Sequence, residues 1–220
     1  MVRRCVEMSG FFSLDGKFYK LGMMIADVVF VGLLWTIFSI PIITMGATTT
    51  ALYYVCTKKH SGEDIYIFEN FLKSFKENFV KATVTFFFLV LVAVVIWVNL
   101  HILRQIDMGV LALPVVIALY FMLFQVILVT TNAFCIISRF EVTVVTALRY
   151  GLFMGYRNFF TTISNWVTLL AIFIASTFLP MLFILMGGLY VYFSSFAFVR
   201  LFRQHSAEFD GQIEELSEGD

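Results

Sequence analysis

Residues 158–199 run for 42 positions without one charged side chain. A helix rises about 1.5 Å per residue and the hydrocarbon core of a bilayer is about 30 Å thick, so one crossing takes about 20 residues. The run is therefore long enough for two spans joined by a tight turn. Ser176 and Pro180 place that turn at 176–180, because proline suits the first turn of a helix and serine or threonine its cap. A break at Gly187 and Gly188 would leave the final span too short. The chain is also 60% hydrophobic and 14% charged, against about 45–50% and 25% for an average soluble domain. A soluble fold of 220 residues could not hide that much apolar surface. The sequence predicts an all-α protein, a polytopic membrane helical bundle.

Five spans are expected, at 21–40, 82–103, 110–137, 160–179 and 180–202. They form a single transmembrane domain over 1–203. Beyond the last base, Arg203, the segment 204–220 carries Glu208, Asp210, Glu214, Glu215, Glu218 and Asp220. So acidic and apolar-poor a stretch predicts a disordered tail. Arg3 and Arg4 are not followed by a short apolar run with a small-residue cleavage site, so no cleaved signal peptide is expected. Lys plus Arg equals Asp plus Glu, and no nucleic-acid partner is expected. The three cysteines, Cys5, Cys56 and Cys135, are far apart and odd in number, which predicts free thiols.

Orientation follows the Lys/Arg bias of short connections. Lys58, Lys59, Lys73, Lys76, Lys81, Arg139, Arg149, Arg157, Arg200 and Arg203 fall on one side of a five-span topology. Arg104 and the N-terminal Arg3, Arg4, Lys17 and Lys20 fall on the other. Ten against five predicts a cytoplasmic C-terminus and an outside N-terminus. Two cytoplasmic segments read as amphipathic helices lying on the membrane. Phe68, Phe71, Leu72, Phe75 and Phe79 share one helical face. A weaker relative runs through Val145, Leu148, Leu152 and Phe159. Lys73, Lys76, Arg149 and Arg157 on these stretches are candidate contacts for a partner or lipid headgroups. Thr50-Ala51-Leu52 and Thr146-Ala147-Leu148 precede them, and Asn78-Phe79 and Asn158-Phe159 close them. That is either an internal duplication (span, surface helix, span) or a short chance match.

Asp27 is the one ionisable group well inside an apolar run. Such a group costs about 2.5–3.5 kcal/mol at a helix centre and is a functional candidate by default. Snorkelling or a bond to a neighbouring span is the alternative. Asn99, Gln125 and Asn132 complete a candidate intramembrane polar site, either an interhelical seam or a polar pathway. The motif Pro41, Thr44, Gly46, Ala47 breaks the first span: proline removes a donor and disfavours a helical residue before it. Thr44 or Thr48 could cap the next helix, and Gly46 could adopt a turn conformation closed to other residues. Trp35, Trp97 and Trp166 read as interface anchors and lipid-facing packing. No cluster of His, Asp, Glu or Cys has metal-ligand spacing, and no P-loop, GxSxG or HExxH occurs. No metal, cofactor or enzymatic activity is expected.

The stretch Asp27, Leu33-Leu34-Trp35, Pro41-Ile42-Ile43-Thr44-Met45-Gly46-Ala47, Ala51-Leu52-Tyr53-Tyr54 is similar to the signature of the YesL family of bacterial membrane proteins. That signature has an acid in the first span, a Leu-Leu-Trp ending, Pro-x-x-Thr-x-Gly-Ala and a short amphipathic helix. The phenylalanine-rich stretch and the span count fit along nearly the whole chain. One position departs: the family usually has Asn before Leu-Leu-Trp, where this chain has Gly32. The resemblance implies a bacterial plasma membrane and an association with oligosaccharide uptake, without naming an activity. It points to an accessory component of carbohydrate import, with ABC sugar-transporter subunits as possible partners beside the lipid bilayer. Neither cytoplasmic loop carries a Glu-Ala-Ala-type ATPase-docking motif, which argues against a pore-forming permease. The alternative is a membrane-embedded regulatory or assembly protein acting through the basic helices and acidic tail.

Overall fold

The computed structural model describes residues 17–103, 105 and 112–218. Among them the chain consists of helices and short connections, with no strand. In order these are α1 (Lys17–Phe38), a 3₁₀ turn (Ile42–Thr44), α2 (Met45–His60), α3 (Ile67–Leu103), α4 (Ala112–Arg139), α5 (Val144–Arg157), α6 (Phe159–Phe178) and α7 (Met181–Glu218). Four are long and apolar enough to cross a membrane: α3, α4, α6 and α7 as far as Arg203. The protein is thus the expected helical membrane bundle, and the 42-residue uncharged run does break at Leu179 and Pro180.

The first expected span, 21–40, corresponds to α1, which is 22 residues long. The apolar part of α1, Gly22–Phe38, falls short of spanning length among the described residues. After it the chain reverses, and α2 returns antiparallel to α1. Trp35 donates from Nε1 to the Thr49 hydroxyl at 3.3 Å, and Lys59 reaches the Asp27 carboxylate at 2.5 Å. These two helices form an antiparallel hairpin with both open ends at one end of the bundle. Arg203 donates to the Ser61 carbonyl at 3.1 Å, so the basic end of α7 lies there too. The described start of α1 thus lies at the end where α7 exits, whereas the charge count placed the N-terminal bases opposite it.

The hairpin tip shows why this sequence turns. Proline interrupts the helical ladder and leaves carbonyls of α1 without amide partners. The Thr44 hydroxyl lies against the carbonyls of Phe38 and Pro41, and the Thr48 hydroxyl is 3.2 Å from that of Phe38. Non-helical backbone at membrane depth needs such internal satisfaction. Thr44 precedes α2 but makes no side-chain cap bond. Gly46 is helical, not a turn glycine. A Cβ there would lie 2.5 Å from the Ala82 carbonyl oxygen, so the glycine lets α2 press onto α3. The left-handed glycine among the described residues is Gly62 (φ 89), which ends α2.

No separate surface helix exists at 68–79. That stretch is the first part of α3, whose 37 residues reach about 55 Å, nearly twice the hydrocarbon thickness. Of its apolar stripe Phe71 is fully buried, Leu72, Phe75 and Phe79 are half-buried and Phe68 is exposed. This part of α3 packs against Phe38 and α2 instead of lying apart on the membrane. The second stretch is a separate helix, α5, capped by Thr143, which accepts from the Thr146 amide at 3.3 Å. Its buried face is Thr146, Ala147, Tyr150, Gly151, Met154 and Gly155, while Val145 and Phe159 are exposed. Small residues win that face because α5 packs tightly on α4: a Cβ on Gly151 would be 3.3 Å from the Ala133 amide nitrogen. The duplication also fails in detail, since Asn78 lies within α3 whereas Asn158 breaks α5 from α6. Instead of an irregular acidic tail, α7 continues to Glu218. An established helix propagates without a new nucleation cost.

Burial divides the molecule into two zones. At the basic end, α2, the start of α3, the end of α4, α5 and the later part of α7 enclose a core of Leu52, Tyr53, Phe71, Ile136, Tyr150, Met154 and Phe198. At the other end the most apolar stretches of α3 and α4 are each only 11% buried. Those surfaces face lipid.

Candidate functional site

Two polar arrangements stand at the junction of these zones. The first surrounds Asp27. Its carboxylate is 14% exposed and its partner Lys59 is 32% exposed. An ion pair therefore takes the place of a lone acid in lipid. The α2 end that supplies Lys59 also supplies His60, whose Nδ1 lies 2.8 Å from the Cys56 carbonyl and 2.9 Å from the Ser195 hydroxyl on α7. A carbonyl only accepts, so Nδ1 carries the proton and donates to both. Ser195 in turn donates to the Tyr192 carbonyl at 2.7 Å. This Ser–His contact has the opposite polarity to an activated nucleophile, in which serine donates to the imidazole. Burial pushes the His60 imidazole below its usual value of 6.5, with the nearby Lys59 charge acting in the same direction. The Cys56 carbonyl and Asp27 act against them. The half-buried ring is flanked edge-on by Tyr192 and Phe196.

The second arrangement is a cavity of 670 Å³ at the centre of the bundle, walled by α1, α2, α3, α4, α6 and α7. Trp35 and Trp166 stand on its sides. The Trp35 indole donates to Thr49 and the Trp166 indole donates to Thr131, both at 3.3 Å. Each threonine hydroxyl is itself turned to its own helix, Thr49 to the Met45 carbonyl and Thr131 to that of Ile127. Tyr53 donates to Ser194 at 3.2 Å, and Tyr190 lies on the same wall. Most polar atoms of the wall thus have partners within it. What faces the space is apolar: Phe86, Ile127, Phe134, Leu169, Met186 and Val191. The space is open on part of its boundary, so whatever surrounds the bundle there can enter it.

The expected polar set is not brought together. Asp27 is at the basic end against Lys59. Asn99 is exposed on the lipid-facing half of α3 and donates to its own helix at Val95. Asn132 is buried and bonds the Leu128 carbonyl, with its amide nitrogen beside Gly155 of α5. Gln125 is on α4, seven residues earlier and half-buried. Lys73, Lys76, Arg149 and Arg157 are all exposed. Of the tryptophans, Trp97 is lipid-facing and stacks on His101, while Trp35 and Trp166 wall the cavity. Among the described residues no group of three or more potential ligands could hold a metal ion. Sequence reasoning set Thr131 beside Gln125 and Asn132 as a group bonding across helices, but missed Tyr190 and Ser194 and gave Tyr53 no polar role, because hydroxyls in apolar helices most often bond their own backbone. It also missed His60 with Ser195, which are 135 positions apart.

The sequence model of a family described as "Protein of unknown function, DUF624" matches residues 28–100. The matched segment covers α1 from Val28, the hairpin tip, α2 and most of α3, so the chain is similar to that family over about a third of its length. No curated protein and no solved structure matches the chain.

Proposed function

We propose that this protein is a non-catalytic accessory subunit of a membrane assembly, and that the assembly is an oligosaccharide importer of a bacterial plasma membrane. The reading takes the importer from the resemblance to the YesL family, and its accessory character from the geometry. The observation that carries it is the position of exposed Lys73 and Lys76 on the part of α3 that outruns the bilayer. Those lysines and Arg149 of α5 belong to the basic end, which by charge bias is cytoplasmic, and present a surface for a cytoplasmic or peripheral partner.

A pore-forming role has less support. A sugar path needs hydrogen-bonding groups free to replace water. The cavity wall has most of its polar atoms paired internally, and Asp27, Asn99 and Asn132 occupy separate places. The His60–Ser195 contact, donating to backbone, likewise gives no support to hydrolysis. The test is purification from the native membrane in mild detergent, wild type beside Lys73→Glu/Lys76→Glu. Recovery of both permease chains of one importer in fixed ratio, lost at least fivefold in the charge-reversed protein, is the expected result. Recovery of the chain alone from wild-type membranes overturns the proposal.

A further inference from the structure

We propose that the central cavity is a binding site for one acyl chain of a bilayer phospholipid. The volume, 670 Å³, lies within the about 300–1,000 Å³ typical of ligand sites. Water is a poor occupant. It needs two to four polar partners, and here the indoles, the threonines and Tyr53 are engaged with one another, with Ser194 or with their own helices. A sugar or ion fails for the same reason. Hydrocarbon asks for no partner, and the cavity is walled by the membrane-crossing helices themselves, whose outward surfaces are Val84, Phe87, Leu91, Phe121 and Leu170. The solvent at its mouth is therefore lipid tails. One chain drawn between α4, α6 and α7 fills the space and restores the contacts an empty cavity would forfeit.

This site is independent of the accessory reading, and its test uses a different readout. Trp35 and Trp166 wall the cavity, whereas Trp97 is 65% exposed and stacks on His101 at a distance from it in sequence and burial. In a Trp97→Phe background the two cavity indoles are the reporters. The full chain is reconstituted into vesicles of phosphatidylcholine brominated along its acyl chains. The expected result is strong quenching by the brominated lipid and none by aqueous iodide. Filling the space with Ile127→Phe and Met186→Phe, together or singly, is expected to cut lipid quenching at least twofold. Leu170→Phe, on the outer surface of α6, is expected to leave it unchanged. Iodide quenching would reveal a water-filled site and overturn the proposal. So would lipid quenching that is absent, or that persists unchanged in the filled variants because the indoles meet only surrounding lipid.

Discussion

Removing Lys59 while leaving Asp27 strands a carboxylate that is only 14% exposed. Breaking a buried pair this way costs about 3–5 kcal/mol, but Lys59 is a third exposed and water screens part of the interaction. Lys59→Met is therefore expected to destabilise by about 1–3 kcal/mol, and Asp27→Asn by less, because the neutral amide needs no counter-charge. The double variant should cost less than the sum of the singles, with the shortfall measured by a double-mutant cycle on unfolding midpoints in detergent. Strict additivity would show that the pair is not coupled. Beside it, His60 adds a pH dependence. Its imidazole is held below the usual value by burial, so as pH falls the unfolded chain binds the proton before the folded one does. Stability from this group is complete above pH 6.5 and is lost as pH drops through that value toward the lowered folded one. The wild-type melting midpoint should fall more steeply between about pH 7 and 5.5 than that of His60→Gln. Parallel curves would sink the assignment. The sequence marked Asp27 as an anomaly, but not its partner. Lys59 is 32 positions away, and only the reversal at Pro41 brings the two together.

Helix contacts in this protein turn on missing side chains. Where α1 crosses α7, a Cβ on Gly188 would be 2.3 Å from the Gly32 Cα, and one on Gly32 would be 2.7 Å from Leu185 Cδ2. At Gly188 the neighbours are backbone with no flexible atom to move aside, and at Gly32 the Leu185 side-chain end can turn away but its Cβ at 3.1 Å and Cα at 3.3 Å cannot, the close approach that small residues permit in membrane helices. Gly32 is also where the resembling family usually has asparagine. Gly32→Asn and Gly188→Ala should each destabilise by roughly 3 kcal/mol or more, as overpacking does at its upper range. Gly22→Ala, on the same helix with open space around it, should be neutral or gain up to about 1 kcal/mol from helix propensity. Equal effects at positions 22 and 32 would contradict the crossing. Spans in the uncharged run were legible because length and hydropathy alone define them. The crossing was not. Gly187 and Gly188 are visible in sequence only as small residues, and nothing local names the helix they meet. The face of α5 was misread for a related reason. Val145 of α5 is exposed as a membrane-facing stripe requires, but the buried face combines Tyr150 and Met154 with Ala147, Gly151 and Gly155, a mixture that no apolar periodicity marks.

At the scale of the whole molecule, the α1–α2 hairpin changes what the charge count means. In a five-span reading the N-terminal lysines oppose the bias of the connections. With α1 and α2 as a hairpin, Lys17 and Lys20 start α1 at the end that also holds Lys58, Lys59, Arg139, Arg200 and Arg203. The Lys/Arg rule then has no internal conflict among the described residues. Residue counting could not find this, because nothing in the local sequence of α1 shows which end of the bundle it starts from. Labelling with a membrane-impermeant maleimide decides it. Cys56 and Cys135 are buried and should stay silent, so Cys5→Ser provides the background. Cysteines introduced at Lys20, at Lys73 and at Leu179 then report in turn on the start of α1, the first part of α3 and the α6–α7 turn. The hairpin requires that positions 20 and 73 react from one side and position 179 from the other. A crossing α1 would instead place position 20 with 179, opposite 73. That outcome would support a fifth span and separate Asp27 from Lys59, because the two could not then occupy the same depth.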